Sequence, residues 1–333
     1  MGDVPMSEDD TEVAAAGARR LAPPVPSLPG SLTSLTARRG ARVVVVAGPG
    51  VLAAGAASGV RTLAGITGAT VVNTVGAKGL LAWDDPLHGG TVGLQADDAA
   101  LAELTTADLV VTTGLDASES TSLAAALTDR AGAEPGAVVD VHPAHLALAA
   151  GGWPPADGPG PRPPIYDRIA SVVGPLYAAE VALGDPVPPP QAARALADGL
   201  PPGGLVVAPP GRTGFWVGRT FPTSVAGSVV ITTGDPAGTA EEVARRAASA
   251  GRPTTLVVDA HALPPAVADG SLLREATQEG RPLVVEVWAG PDAEAAPAPG
   301  RRAVRVDWSA LDALVAVAGP PDASIWPGAG SIG

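Results

Sequence analysis

The residues of this 333-residue chain that can do chemistry sit where apolar runs end. Gly48-Pro49-Gly50 follows the run 43–47 directly. A glycine turn between a strand and a helix offers backbone N–H groups, with the helix dipole behind them, to a phosphate. The same glycines also serve close packing of strand on helix, and the spacing falls short of G-x-G-x-x-G. Lys78, the only lysine, lies in a turn between Gly76 and Gly79. As a mobile point charge it can reach a nucleotide phosphate, or it can stand solvated in its turn. Asp140, near the end of the run 137–141, can hold a ribose hydroxyl or simply face water.

Other chemistries are poorly supplied. There is no cysteine, which excludes disulfides, thiol nucleophiles and thiolate metal sites. Of the histidines, only His142 and His145 approach a metal spacing, and Pro143 between them opposes a ligating helix. No G-x-S-x-G nucleophile elbow occurs. No residue is assigned a catalytic or metal-ligating role. The stretch 212–222 (RTGFWVGRTFP) gathers both phenylalanines, Trp216 and two arginines. Such a cluster can be an interface hot spot, a ligand clamp, or packing between two domains.

The net charge of −13, with no basic run longer than two residues, opposes nucleic-acid binding, which requires a basic patch that releases counterions. The apolar run near residues 43–54 is interrupted by Gly and Pro and is too short to span a bilayer. The acidic start, 1–13, lacks the features of a signal peptide. A cytoplasmic protein without membrane or nucleic-acid partners is expected.

Strand and helix patterns alternate around these residues. Strands are expected over 43–47, 69–73, 109–113 and 137–141, with helices from 50 to about 68, 97–106 and 118–131. β-Branched runs alternating with helices imply right-handed crossovers and a parallel sheet. A Pro/Gly-rich stretch at 151–190 reads as a linker holding one helix, 165–182. A second α/β unit follows, with strands over 205–208, 228–232, 254–259, 283–288 and 303–306 and helices over 239–250 and 308–318. Gly251-Arg252-Pro253 and Gly280-Arg281-Pro282 each stop a helix ahead of an apolar strand. The expected organisation is a disordered tail at 1–38, a first domain at 39–150, the linker at 151–190, a second domain at 191–318 and a tail at 319–333.

Five blocks carry a family resemblance: RVVVVAGPGV at 42–51, TVVNTVGAKGL at 70–80, PLHGGTVG at 86–93, ADLVVTTGL at 107–115 and VVDVHPAHL at 138–146. Their order and spacing resemble the middle domain of thiamine-diphosphate-dependent enzymes of the acetolactate-synthase type, with 86–93 matching a loop of that domain. The resemblance implies an α/β fold of two parallel-sheet, Rossmann-like domains. The first would be a DHS-like NAD/FAD-binding domain and the second a reduced diphosphate-binding domain.

The resemblance also sets functional expectations. Relatives hold FAD or ADP across the first sheet, or nothing, which makes Gly48, Gly50, Gly76, Lys78, Gly114 and Asp140 the candidate nucleotide-binding residues. Flavin-binding relatives place an arginine two residues beyond the glycine matching Gly114, where this chain has Asp116. In the second domain, Gly234-Asp235-Pro236 stands at a Gly-Asp-Gly metal motif, and Asp259-Ala260 stands near its Asn-Asn end. Asp235 and Asp259 could supply two oxygens to the Mg²⁺ of thiamine diphosphate, or be ordinary strand-end aspartates. Pro236 removes a backbone N–H where phosphate needs donors. On this resemblance the stretch ahead of Arg42 is expected to be a tail and not the family's pyrimidine-binding domain. The expectation is a catalytically degenerate relative that binds a nucleotide or a partner. The alternative is a subunit of a split lyase or synthase whose pyrimidine domain lies on another chain. Homo-oligomers or hetero-oligomers fit both readings.

Overall fold

The computed structural model describes residues 41–116, 120–151, 153, 155–178, 186–232, 238–292, 300–324 and 326. The chain builds two parallel sheets of five strands each. The first contains β1 (Val43–Ala47), β2 (Thr70–Thr74), β3 (His88–Val92), β4 (Leu109–Thr113) and β5 (Val138–Asp140), in the order β3-β2-β1-β4-β5. The second contains β6 (Leu205–Ala208), β7 (Val229–Ile231), β8 (Thr254–Asp259), β9 (Leu283–Ala289) and β10 (Arg301–Arg305), in the order β10-β9-β8-β6-β7. Both orders reverse direction beside their first strand, as doubly wound sheets do, and such a reversal leaves a crevice at the carboxyl ends of the strands.

Twelve helices among the described residues connect these strands. They are α1 (Pro49–Ala53), α2 (Ala57–Thr67), α3 (Asp98–Leu101), α4 (Thr121–Ala133), α5 (Leu146–Ala150) and α6 (Pro164–Ala178). There follow α7 (Pro189–Asp198), α8 (Arg212–Thr220), α9 (Gly238–Ser249), α10 (Pro265–Ala268), α11 (Ser271–Gln278) and α12 (Leu311–Ala318). None is long and apolar enough to cross a membrane.

Every residue of β1 is buried, as a central strand covered on both faces requires. Val43, Val45 and Ala47 join a core with α1, α2 and α5 on one face. Val44 and Val46 point the other way, into a core shared by both sheets and filled from α3, α4, α6, α7, α8 and α12. A third core packs α9, α10 and α11 on the outer face of the second sheet. The two sheets therefore share one interior, and α8 lies inside it.

Several expectations are corrected. The stretch 86–93 is not a loop: β3 pairs with β2, with an irregularity at Val71/Val72. Gly89 and Gly90 hide its strand signature, since glycine contributes no side chain to a pleated face. The helix expected over 97–106 is only the single turn α3, because Glu103 adopts a φ of 60°. The helix expected from 50 to 68 is two, divided at Gly55 with a φ of 63°. Pro321 bridges Gln95, and Trp326 is buried against Phe215 of α8, so the described residues beyond 318 pack against the body of the molecule. Both Gly-Arg-Pro stops hold, with φ of 78° at Gly251 and 63° at Gly280.

Candidate functional site

At the carboxyl end of β1, Gly48 and Gly50 turn their N–H groups inward. Gly48 N donates to Thr113 O at 2.9 Å and Gly50 N to Gly114 O at 2.8 Å. A Cβ on Gly48 would lie 2.4 Å from Gly114 O, and one on Gly114 would lie 2.6 Å from Val51 N. Gly114 also holds a φ of 60°, which glycine adopts at least cost. These glycines bring two strand-end loops together backbone to backbone, and the hydrogen bonds employ donors that a phosphate cradle would need free. Gly76 packs on the Pro49 ring, where a Cβ would come within 3.1 Å. Asp140 is exposed one strand further out and accepts a 2.9 Å bond from Thr112 Oγ1.

Lys78 leaves this group altogether. It lies in the turn after β2, where Gly79 holds a φ of 89°, its O accepts from Gly227 N, and a Cβ would come within 3.1 Å of Thr223. Lys78 is 2% exposed, so it is not the solvated turn residue that its flanking glycines suggest. Its Nζ lies 5.4 Å from the centroid of Trp83. Burial first, then the charge of Arg219, push its pKa down to about 7.

A buried polar network surrounds it. Asn73 donates to Thr74 O at 2.9 Å and to Thr91 Oγ1 at 3.2 Å, which leaves its Oδ1 to accept from His88 Nε2 at 3.0 Å. Burial, followed by Lys78, pushes His88 down to about 4, which keeps the imidazole neutral. Arg219 of α8 donates to Thr91 O at 3.0 Å and to both oxygens of Asp98 at 2.8 Å. Asp98 also accepts from the N–H groups of Leu94 and Gln95 at 2.8 and 3.0 Å. Burial pushes the Asp98 carboxyl up, opposed by Arg219 and these N–H groups. Arg219 and Asp98 are almost wholly buried, at 2% and 1% side-chain exposure, so this ion pair ties α8 to the first sheet's rim.

The other end of α8 closes the second sheet's rim. Arg212 Nε and Nη2 meet Asp259 Oδ2 and Oδ1 at 2.9 and 3.3 Å, and Oδ1 also accepts from His261 N at 2.9 Å. The Arg212 guanidinium stacks 4.6 Å from the Trp308 centroid. Beside it Trp288 Nε1 donates to the buried Glu286 at 2.7 Å, and burial pushes that carboxyl up.

Octahedral Mg²⁺ needs oxygen ligands free of competing cations. Asp259 does not fit that need, because a guanidinium and an N–H engage its carboxylate. Asp235 and its neighbours at 233–237 lie outside the described residues. Among the described residues no group of three or more His, Asp or Glu side chains can hold a metal ion. His142 and His145 stack with centroids 5.4 Å apart on a short 3₁₀ turn, where His142 Nδ1 accepts from Ala144 N.

Of the sequence-derived candidates, the structure brings together Gly48, Gly50, Gly76 and Gly114, and sets Lys78 and Asp140 apart from them. Asn73, His88, Thr91 and Asp98 were not marked as a site by sequence. The one available signal for their network was the dense Arg and aromatic stretch 212–222, which supplies Arg219.

Residues 38–150 match the family described as thiamine pyrophosphate enzyme, central domain. Among solved structures, the chain resembles a Mycobacterium smegmatis protein assigned as a thiamin diphosphate-dependent enzyme, at 18% identity and a TM-score of 0.55. The likeness covers 85% of this chain but 57% of that one, and it speaks for the fold. No curated protein matches the chain.

Proposed function

We propose that the chain, whose residues 38–150 match the thiamine pyrophosphate enzyme central domain, is a catalytically degenerate relative of the thiamine-diphosphate-dependent enzymes that works by binding a partner. The observation that supports this reading is the closure of Asp259 by Arg212, near where the resemblance would put the end of a metal motif. A carboxylate held by both oxygens to a guanidinium is already neutralised and is a poor Mg²⁺ ligand. On the first rim, the inward N–H groups of Gly48 and Gly50 favour a partner over a nucleotide such as FAD or ADP. The partner is a second copy of the chain or a protein carrying a pyrimidine-type domain.

Calorimetric titration with thiamine diphosphate and Mg²⁺ tests this reading, and no heat beyond dilution is expected. Micromolar binding would replace it with the split-enzyme reading, in which another chain completes a lyase or synthase. Titration with ADP and FAD is also expected to be silent. Light scattering should give a mass above that of one chain, alone or with the pyrimidine-domain protein.

A further inference from the structure

We propose that His142 and His145, on the turn that follows β5, form a two-imidazole site for a divalent transition-metal ion. Proline decides the local geometry. Pro143, which opposes an α-helix across this pair, opens a 3₁₀ turn over Pro143–His145 with His142 as its N-cap. A 3₁₀ helix has three residues per turn, so side chains three apart stand one above the other. In an α-helix, at 3.6 residues per turn, the same spacing would leave them about 60° apart.

Two observations point to a ligand. The first is a distance. Two imidazoles on one tetrahedral ion, each nitrogen about 2.0–2.1 Å from the metal, set their ring centroids roughly 5 Å apart. His142 and His145 stand 5.4 Å apart with their planes tilted by 49°, near that separation without lying flat on each other. The second is an orphaned atom. His145 is 7% exposed, and its Nδ1 is buried with no hydrogen-bond partner among the described residues. A buried polar atom left in that state calls for strain, a functional role or an ion to account for it. His142 is exposed, which gives an ion a way in, and its Nδ1 accepts from Ala144 N at 3.3 Å. That bond is longer than an ordinary one, so an ion taking this nitrogen displaces little.

The donor set names the class of ion. The chain has no cysteine, and no third His, Asp or Glu joins the pair among the described residues. Imidazole suits zinc, copper and nickel, whereas magnesium and calcium take oxygen ligands. Two protein nitrogens leave the remaining positions to water, so the ion exchanges and is not a structural clamp, which needs four protein ligands. The net charge of −13 draws cations to the whole surface, so the ligating nitrogens themselves must be identified. The site belongs to the first sheet and does not depend on whether thiamine diphosphate binds the second.

With four histidines in the chain, each ring can be followed separately. Zn²⁺ is titrated into ¹⁵N-labelled protein while long-range ¹H–¹⁵N NMR reads the ring nitrogens. One equivalent should shift one nitrogen of His142 and one of His145 together and leave His88 and His261 unmoved, and Mg²⁺ should shift none of them. In calorimetry His142→Ala should weaken zinc binding by roughly tenfold or more, a loss seen even when outer-shell partners are removed, while His261→Ala should bind as the parent does. Spectra of the unaltered protein decide the matter even if His145→Ala does not fold. Zinc that moves His142 alone, or neither ring of the pair, is adsorbed to the surface and would overturn the proposal, as would equal affinity in His142→Ala and parent.

Discussion

The two rims of this molecule are closed by the same helix in different ways. Arg219, near the end of α8, reaches Asp98 at the edge of the first sheet, and the two side chains are 2% and 1% exposed. Arg212, at the start of α8, reaches Asp259 at the end of β8, and the two are 17% and 11% exposed. Seven residues separate the arginines, two helical turns, which puts both on one face. The first pair crosses between sheets, while the second stays within one. Burial sets their consequences apart. A fully buried pair contributes little net stability, yet leaves a costly orphan when one partner is lost; a partly wetted pair can be rescued by water. The first rim therefore fixes how the two sheets sit together, and the second fixes what one carboxylate can bind.

Breaking the buried pair should have the largest effect. Arg219→Ala should lower unfolding free energy by about 3–5 kcal/mol, read from the urea midpoint at constant m. The double variant Arg219→Met with Asp98→Leu should recover most of that loss, because no charge is then stranded. A single variant losing less than about 1 kcal/mol would mean that water reaches Asp98 and that the contrast between the rims is false.

The pH dependence of the first rim comes next. Lys78 and His88 are both depressed by burial, to about 7 and about 4. For each, the unfolded chain binds more protons than the folded one between the folded and unfolded pKa, so stability rises with pH across that window. The Lys78 penalty is complete below about 7 and gone above 10.5. The His88 penalty is complete below about 4 and gone above 6.5. Lys78→Met should remove the alkaline rise, a difference of roughly 2–4 kcal/mol between variant and parent over that window. Parallel pH profiles for the two proteins would show that Lys78 is solvated in solution.

Most of the fold was legible in sequence because the signal was local. The runs at 43–47, 109–113, 205–208 and 254–259 are strands with the bounds expected, each with an apolar middle buried on both faces as a parallel strand demands. What escaped was set by tertiary contact. His88-Gly89-Gly90 has no strand propensity of its own and becomes β3 through its ladder with β2. Lys78 reads as solvated from its flanking glycines, yet it is 2% exposed, in a turn whose Gly79 O accepts from Gly227 N. The network of Asn73, His88, Thr91, Asp98 and Arg219 joins residues up to 146 positions apart, which no spacing rule encodes. Legibility follows sequence distance.

A smaller effect should follow from a single methyl group on the first rim. Gly114→Ala places a Cβ 2.6 Å from Val51 N at a φ of 60°. Moving the two loops apart and straining that backbone should cost about 1–3 kcal/mol, measured as a fall in the denaturant midpoint. Gly132, where a Cβ meets nothing within 4 Å, is the control, and Gly132→Ala in α4 should be neutral or slightly stabilising. If both alanines behave alike, the touching loops are not what requires glycine at 114.

The smallest change in stability, and the sharpest in function, belongs to Arg212. Arg212→Ala removes two hydrogen bonds to a partly wetted carboxylate and a stack on Trp308, and should cost about 1–2 kcal/mol by denaturant titration. Asp259→Asn should cost a similar amount, and the double variant Arg212→Ala with Asp259→Asn should lose less than the sum, because each change removes the same interaction. The first rim behaves differently, since there the single change strands a fully buried charge. Freed of its guanidinium, Asp259 also regains the negative potential that a divalent cation requires, so Arg212→Ala should bind Mn²⁺ more tightly than the parent in a paramagnetic relaxation titration. That gain should vanish when Asp259→Asn is added. Equal Mn²⁺ binding by parent and variant would mean that Arg212 does not govern this carboxylate, and the reading of the second rim as closed by its own side chains would fall with it.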